Sequence, residues 1–349
     1  MTIYLSDVAK GHNNNFNIMR MLASTGVLIS HAYPLSLGRG VGDPIHAIFG
    51  ISLGTACVMI FFCISGFFVA GSFEKNPSVK KFILARSLRL FPALFVCLIA
   101  TILLASLLTE SEPGHYWSAT PQYFFYNFTL FFGQNELPGV FKENIFSPTI
   151  NGSLWTLNFE VMLYFIVLAL GVSGFLAKKK KFLIFLAVFL SLLLLSKFFE
   201  FPYRANLILK LGYPFMSGVV FWVWRRSIPF TISFAAVSAI YITISCFLPL
   251  PHFTIWIAAT YIIFFLGYSE IPSLKIYNRF GHYSYGGIYL CISNSANLRS
   301  VGNREPSTEY CSLTTHGLHM CCTFLAFYRK SRPKIEAQKF KCEKRFGLV

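Results

Sequence analysis

The run AIFGISLGTACVMIFFCISGFFVAGSF, residues 47–73, decides the fold, because it places 27 consecutive residues without a charged side chain. An α-helix needs roughly 20 apolar residues to cross the hydrocarbon core of a bilayer. The rest of the chain has the same character: 55% of its residues are hydrophobic, 13% are charged and the mean hydropathy is +0.57. Soluble domains have about 25% charged residues. The sequence therefore predicts an integral membrane protein.

Further apolar runs predict an all-α, polytopic transmembrane helical bundle. They lie near 16–36, 47–73, 88–109, 152–176, 182–198, 204–224, 228–249, 254–270 and 281–292. One more span before the lysine-rich tail at 329–345 would give about ten. The first run has no small-residue cleavage site, so we do not expect a removable signal peptide. Residues 1–292 are expected to form a single membrane domain.

The net charge of +16 is spread over short basic clusters between the apolar runs. If the N-terminus is cytoplasmic, every cluster falls on the cytoplasmic side, as Lys and Arg do in membrane proteins. The clusters lie at 80–89, 178–181, 225–226 and 275–279. The segment 110–150, which is poor in Lys and Arg, then falls outside. This distribution predicts a multi-pass protein of the cytoplasmic (inner) membrane and explains the charge without a nucleic-acid partner.

An arginine and a histidine interrupt the first apolar run. Arg20 and His31 are eleven positions apart, which is about three helical turns, so both point to the same side, roughly 16 Å apart along the axis. Ionisable residues inside a membrane are costly and are candidates for function. The alternatives are a snorkelling arginine at the helix end and a hydrogen-bonded core histidine.

A second pair of arginines stands where the third run enters the membrane. Arg86 and Arg89 are three residues apart and share one face of a helix. Two guanidinium groups on one face suit the phosphates of a ligand. Anchoring of the cytoplasmic helix end is the alternative interpretation.

The run beginning NGSLWTLNFEVMLYF, residues 151–165, places the carboxyl group of Glu160 about two turns inside an apolar helix. Tyr164 follows one turn later on the same face. We expect Glu160 to have a partner such as Arg or His, because an unpaired carboxylate is costly there. Trp155 suits the aromatic belt of the outer surface. Ser65, beside Gly66, suits close helix packing as an alternative to a functional role.

Five stretches together resemble the motifs of the acyltransferase 3 family of membrane acyltransferases. They are RMLASTGVLISHAYPL at 20–35, FFCISGFF at 61–68, ARSLRLFP at 85–92, GSLWTLNFEVMLYF at 152–165 and FGHYSYGGIYL at 280–290. The resemblance covers about residues 13–291. It implies a membrane-bound O-acyltransferase that transfers an acyl group, expected to be acetyl, from cytoplasmic acyl-CoA to a hydroxyl of an extracytoplasmic polysaccharide or lipid-linked glycan.

The resemblance also assigns roles to the polar residues. His31 is expected to act as a general base or a transient acyl carrier, and Glu160 to orient or stabilise a charged partner. The phosphates of acyl-CoA, the co-substrate, are expected to be bound by Arg20, Arg86 and Arg89. Contact with the acceptor, or support of the site, is expected from Ser65, Trp155 and Tyr164. No bound cofactor is expected, and no metal, because Cys311, Cys321 and Cys322 lack zinc-ligand spacing with His316 and His319.

The alternative function is a transporter or flippase for a lipid-linked glycan or another anionic lipid. The arginines would then form an anion path and Glu160 a proton relay. Many transporters carry inverted repeats, and no internal repeat is recognisable in this sequence.

The composition changes abruptly after Leu290, in the middle of an apolar helix. Residues 293–322 are rich in Ser, Asn, Thr and His and contain no convincing apolar run. Reading each codon one base later permits YAFPIQQTL from 290, LGIENP from 301 and AALSWHFIENPALKLK from 321, which resemble the family's last span. We therefore interpret 293–349 as a frame-shifted tail that replaces this span; a disordered tail is the alternative.

Overall fold

The computed structural model describes residues 2–11, 14–37, 42–131, 133–140, 150, 152–248 and 252–271. Regular structure in this part of the chain is helical, apart from an isolated antiparallel bridge between Tyr4 and Pro229. The helices are α1 (Leu5–Val8), α2 (Phe16–Leu37), α3 (Pro44–Phe49), α4 (Leu53–Lys75), α5 (Val79–Ser106), α6 (Pro113–Phe128), α7 (Trp155–Val172), α8 (Lys179–Leu195), α9 (Tyr203–Val223), α10 (Ile232–Ser245) and α11 (His252–Tyr268).

Eight of the nine predicted apolar spans coincide with helices, and the ninth, 281–292, lies outside the described residues. By length and composition, four of the described helices are able to cross a membrane: α4, α5, α7 and α9. Shorter apolar helices occupy Ile232–Ser245 and Thr254–Tyr268. The prediction of a helical membrane protein is confirmed. The count of ten spans and the frame-shifted tail remain predictions.

Helix α4 lies at the centre of the bundle and packs against α2, α7, α9 and α11. Two glycines explain its close approach to α9. A Cβ atom on Gly66 would lie 1.9 Å from the carbonyl oxygen of Phe215, and one on Gly218 would lie 2.0 Å from the carbonyl oxygen of Cys63. The two backbones therefore touch, as small residues permit in membrane helices. This contact agrees with close helix packing, the alternative interpretation of this segment.

Helix α6 was not expected, since the segment 110–150 was interpreted as an external loop. Its buried residues Tyr116, Thr120, Tyr123 and Asn127 recur every three or four positions and form one face against α5. Three of these four side chains are aromatic or amide groups outside the usual aliphatic pattern, and Pro121 interrupts the run. A helix with such a face is hard to recognise by hydropathy.

Candidate functional site

Helices α4 and α7 bring three of the candidate residues into one hydrogen-bonded group. The hydroxyl of Ser65 donates to Oε1 of Glu160 over 2.9 Å, and the hydroxyl of Tyr164 donates to the same oxygen. The two hydroxyl oxygens are 3.3 Å apart, and all three side chains are buried. Two hydroxyl groups therefore bind this carboxylate. The Arg or His partner expected for Glu160 stays a prediction. We call this group the Ser65–Glu160–Tyr164 triad.

Arg86 on α5 lies against the triad. The central carbon of its guanidinium is 5.9 Å from the centre of the Tyr164 ring, and its Nε and Nη1 atoms are buried. A cation over an aromatic face is attracted by the ring quadrupole. Arg89 is partly buried one turn further along α5. The hydrogen bond to Glu160 thus fixes the orientation of Tyr164. The face of the Tyr164 ring in turn contacts the guanidinium of Arg86.

Arg20 on α2 lies against α4 next to Phe68. Its side chain is buried and its guanidinium carbon is 5.5 Å from the centre of the Phe68 ring. Phe68 follows Ser65 by three residues, about one helical turn. Arg20 and the triad therefore lie in the same layer of the bundle, which we call the arginine layer: Arg20, Ser65, Phe68, Arg86, Glu160 and Tyr164.

Asn15 fixes the start of α2 just before Arg20, and sequence reasoning did not select it. Its Nδ2 atom donates to the carbonyl oxygens of Leu266 and Ser269, both over 2.8 Å, and its backbone amide donates to Gly267 over 2.7 Å. These bonds cap the end of α11. No sequence signal marks this contact, because its partners lie 251 and 254 residues away.

His31 lies outside the arginine layer. Helix α2 is continuous from Phe16 to Leu37, so the eleven residues from Arg20 to His31 correspond to a rise of about 16 Å. The preceding residue, Ser30, lies beside the first turn of α4, where a Cβ atom on Gly54 would meet its Oγ at 3.0 Å. His31 is partly buried. The two residues proposed for catalysis, His31 and Glu160, therefore lie at different depths.

Asp43 is hydrogen-bonded to α2 at Ser30, the residue before His31. Asp43 was not among the residues selected from the sequence. Its carboxylate accepts bonds from Ser30 Oγ (2.6 Å) and from the backbone amides of Leu53 (2.9 Å) and His46 (3.2 Å). Burial alone would raise the pKa of Asp43, but these bonds outweigh it and lower the pKa below its ordinary value. An Asp directly before a proline is a helix N-cap signature that pointed to this role.

Trp155 is the first residue of α7 and lies away from the triad. About 45% of its surface is exposed, and its ring packs edge-on against Phe159 at 5.8 Å. This placement fits an aromatic residue at a membrane interface. The cysteines and histidines of the tail lie outside the described residues, so the prediction of no zinc site there remains a prediction.

Comparison with known proteins gives one family and two curated relatives. Residues 13–291 match the model of the acyltransferase 3 family, described as an acyltransferase domain. An O-acetyl transferase of Shigella phage Sf6 is 33% identical over 190 residues, which cover 54% of each chain. Nodulation protein 10 of Rhizobium leguminosarum bv. viciae is 32% identical over 176 residues, covering 45% of this chain and 43% of that protein. The chain thus spans about half the length of these relatives. No solved structure matches it.

Proposed function

This chain belongs to the acyltransferase 3 family, and from that premise we propose that it is a membrane O-acyltransferase. It transfers an acetyl group from cytoplasmic acyl-CoA to a hydroxyl of an extracytoplasmic polysaccharide or lipid-linked glycan. The family match over residues 13–291 carries the proposal, because that range includes every candidate site residue. The name of the Shigella phage relative, an O-acetyl transferase, supports acetyl as the group transferred.

The arginine layer is the proposed site for the phosphates of acyl-CoA. Arg20 lies over the Phe68 ring and Arg86 over the Tyr164 ring, and Arg89 adds a third guanidinium one turn along α5. Guanidinium groups bind phosphate oxygens through paired N–H donors, which a single ammonium group cannot reproduce. The Phe68 ring contacts the guanidinium of Arg20, and the Tyr164 ring contacts that of Arg86. These contacts order the two arginine side chains before the donor binds.

Glu160 acts in this scheme as a positioning residue. It accepts hydrogen bonds from Tyr164 and Ser65, and Tyr164 carries Arg86 on its ring. A buried carboxylate that receives two hydroxyl donors fixes both side chains more firmly than a neutral acceptor would. Its effect on the reaction is therefore transmitted through the placement of Arg86.

His31 is the proposed catalytic residue, about 16 Å along α2 from Arg20. The extended pantetheine arm of CoA connects its phosphates to its thioester, so a donor held in the arginine layer can present the thioester near His31. In one route the imidazole takes the proton from the acceptor hydroxyl, the hydroxyl oxygen attacks the thioester carbon, the C–S bond breaks and the imidazolium returns the proton to the thiolate. In the other route an imidazole nitrogen of His31 attacks the thioester carbon, the C–S bond breaks and CoA leaves as the thiol with the imidazole proton. The acceptor hydroxyl then attacks the acyl-imidazole, the C–N bond breaks and the hydroxyl proton passes to the imidazole.

The proposed location is the cytoplasmic membrane with the N-terminus inside. The positive-inside distribution of Lys and Arg supports this orientation. It places Lys180 inside and Glu112, which is exposed before α6, outside. Cysteine substitution at each position and labelling of intact cells with a membrane-impermeant maleimide tests it; labelling at 180 without labelling at 112 would reverse the orientation.

The experiment that tests the function is acyl transfer in proteoliposomes. Purified protein receives acetyl-CoA labelled in the acetyl group together with surface glycan from the source cell, and mass spectrometry locates the label. Labelled acetyl ester on the glycan supports the proposal. Retention of all label as acetyl-CoA by a correctly inserted protein, together with unchanged glycan in cells that lack the gene, contradicts it.

A further inference from the structure

Helix α6 and the segment after it fold back along α5 as a hairpin. The hydroxyl of Tyr116, in the first turn of α6, donates to the carbonyl oxygen of Ile102 over 2.6 Å. At the last turn, Phe128 packs against Phe91 with 5.3 Å between ring centres. The two helices are therefore antiparallel, and α6 runs from the depth of Ile102 to the depth of Phe91.

The chain then returns to the same end of α5. The hydroxyl of Thr109 donates to the carbonyl oxygen of Pro138 over 2.7 Å, and the amide of Glu110 donates to that of Gly139 over 3.1 Å. Both ends of the hairpin are thus attached at the C-terminal end of α5. The turn near Leu130 lies farthest along α5 from that end.

The sequence of α5 fixes the depth of this hairpin in the bilayer. Twenty residues, 90–109, separate Arg89 from Glu110 and none is charged. As a helix they would extend about 30 Å, the thickness of the hydrocarbon core. Apolar side chains remain exposed along this length of α5 and form its lipid-facing surface: Phe95, Ile99, Leu103 and Leu107. Phe91 and Ile102, which contact the two ends of α6, both lie within residues 90–109. Helix α6 therefore lies beside the membrane-embedded part of α5.

One stripe of the outward face of α6 is apolar, and it lies beside the exposed polar residues His115, Ser118 and Gln122. Trp117, Pro121 and Phe125 follow each other every four residues, and Trp117 and Phe125 are 48% and 61% exposed. No Asp, Glu, Lys or Arg occurs from 113 to 135. We infer that α6 re-enters the membrane from the side on which α5 ends, which is the outer side in the orientation proposed above, and that the Trp117–Pro121–Phe125 stripe contacts lipid acyl chains, continuing the lipid-facing surface of α5.

The non-helical residues 133–140, the described part of the return segment, are compatible with this depth, because four of their backbone carbonyl groups are bonded within the protein. Irregular backbone at membrane depth requires such partners. The carbonyl oxygens of Gln134 and Asn135 accept from Asn127 Nδ2 (2.8 Å) and from the amide of Ile150 (2.9 Å). Those of Pro138 and Gly139 accept from the end of α5, as above. A loop lying in water would not need these bonds.

The test maps lipid and water contacts on the same full-length protein. The protein is reconstituted in phosphatidylcholine vesicles that contain a phosphatidylcholine with a diazirine in its acyl chain. After irradiation, mass spectrometry locates the adducts, and hydroxyl-radical footprinting of a parallel sample locates water contacts. Ile99 and Leu103 are the internal lipid controls, and 178–181 is the water control. Protection of the fully buried Phe67 identifies folded protein.

We expect lipid adducts at Trp117 and Phe125 in yields comparable to those at Ile99 and Leu103, and little oxidation. Oxidation comparable to that of 178–181, without adducts, would show that α6 lies in water and would overturn the inference. Absence of both modifications would show that protein covers the stripe, which would overturn it as well. None of these outcomes depends on acyltransferase activity, so the result is independent of the proposed function.

Discussion

The hydroxyl of Ser65 on α4 and the carboxylate of Glu160 on α7, 95 residues apart in the chain, are joined by a buried hydrogen bond of 2.9 Å. The same carboxylate oxygen accepts the hydroxyl of Tyr164, whose ring lies beneath Arg86. Ser65 in the central helix α4 is therefore linked through Glu160 and Tyr164 to Arg86, which is proposed to bind the phosphates of acyl-CoA.

The ring of Tyr164 should matter for donor binding more than its hydroxyl does. Tyr164→Leu removes the aromatic face under Arg86, and a cation–aromatic contact contributes about 0.5–2 kcal/mol. We expect the Kd of acyl-CoA to rise by about 2- to 30-fold. Tyr164→Phe retains the ring and should have a smaller effect. Isothermal titration calorimetry in detergent measures both.

The matched control for this series is Tyr261→Phe, since that hydroxyl donates to the carbonyl oxygen of Pro229, away from the triad. It should bind acyl-CoA as the unchanged protein does. Equal affinity of Tyr164→Leu and the unchanged protein would show that the ring does not support a donor-binding arginine.

Substitution of the α5 arginines should weaken donor binding specifically. Arg86→Ala and Arg89→Ala should raise the Kd of acyl-CoA more than that of the glycan acceptor. Arg86→Lys should also bind poorly, because an ammonium group lacks the planar pair of donors. Arg226→Ala, which removes an exposed arginine after α9, is the control. If Arg86→Ala and Arg89→Ala both bind acyl-CoA normally, the two arginines only anchor the helix.

His31→Ala should abolish acyl transfer while the protein stays folded in the membrane, because both proposed routes require the imidazole. Acyl-CoA affinity should change little, since His31 lies outside the arginine layer. His46→Ala is the control: His46 is exposed, and its bond to Asp43 uses the backbone amide. Normal transfer by well-expressed His31→Ala protein would remove His31 from the mechanism.

A methyl group at Gly66 should separate α4 from α9. The Cβ atom would lie 1.9 Å from the backbone oxygen of Phe215, which cannot move without the helix. Overpacking of this kind costs typically 1–3 kcal/mol and occasionally more, so Gly66→Ala should lower the Tm in detergent and reduce activity. Gly114→Ala is the control, because no atom lies within 4 Å of its added Cβ. A Tm equal to that of the control would contradict the contact.

Restoration of the reading frame should restore the last span. We expect that a one-base change near the codon of Leu290 yields a chain with YAFPIQQTL and FIENPALKLK that is more stable and more active than the present one. The polar tail cannot satisfy its backbone and side-chain groups in lipid. Resequencing the gene and comparing both chains in the proteoliposome assay tests this. Confirmation of the present frame, with the same tail in close relatives, would refute the frameshift.

The sequence alone determined the class of protein and the position of its long helices. Hydrophobic length is a local property, so runs such as 47–73 predicted α4 without reference to any other part of the chain. Local spacing likewise placed Arg86 and Arg89 on one helix and Tyr164 one turn from Glu160. The helices α4, α5, α7 and α9 confirm these predictions.

Only the tertiary structure decided which polar groups meet. Ser65 lies 95 residues from its partner Glu160, and the partners of Asn15 lie 251 and 254 residues from it, so helix packing and not spacing selects these contacts. The structure placed Arg86 over the ring of Tyr164, whose hydroxyl donates to Glu160, and left His31 about three turns along α2 from Arg20. It also showed that α6 folds back along α5, which hydropathy could not reveal because its buried face is made of tyrosines and polar groups. Local patterns fix where helices form, whereas contacts between distant residues depend on how those helices pack together.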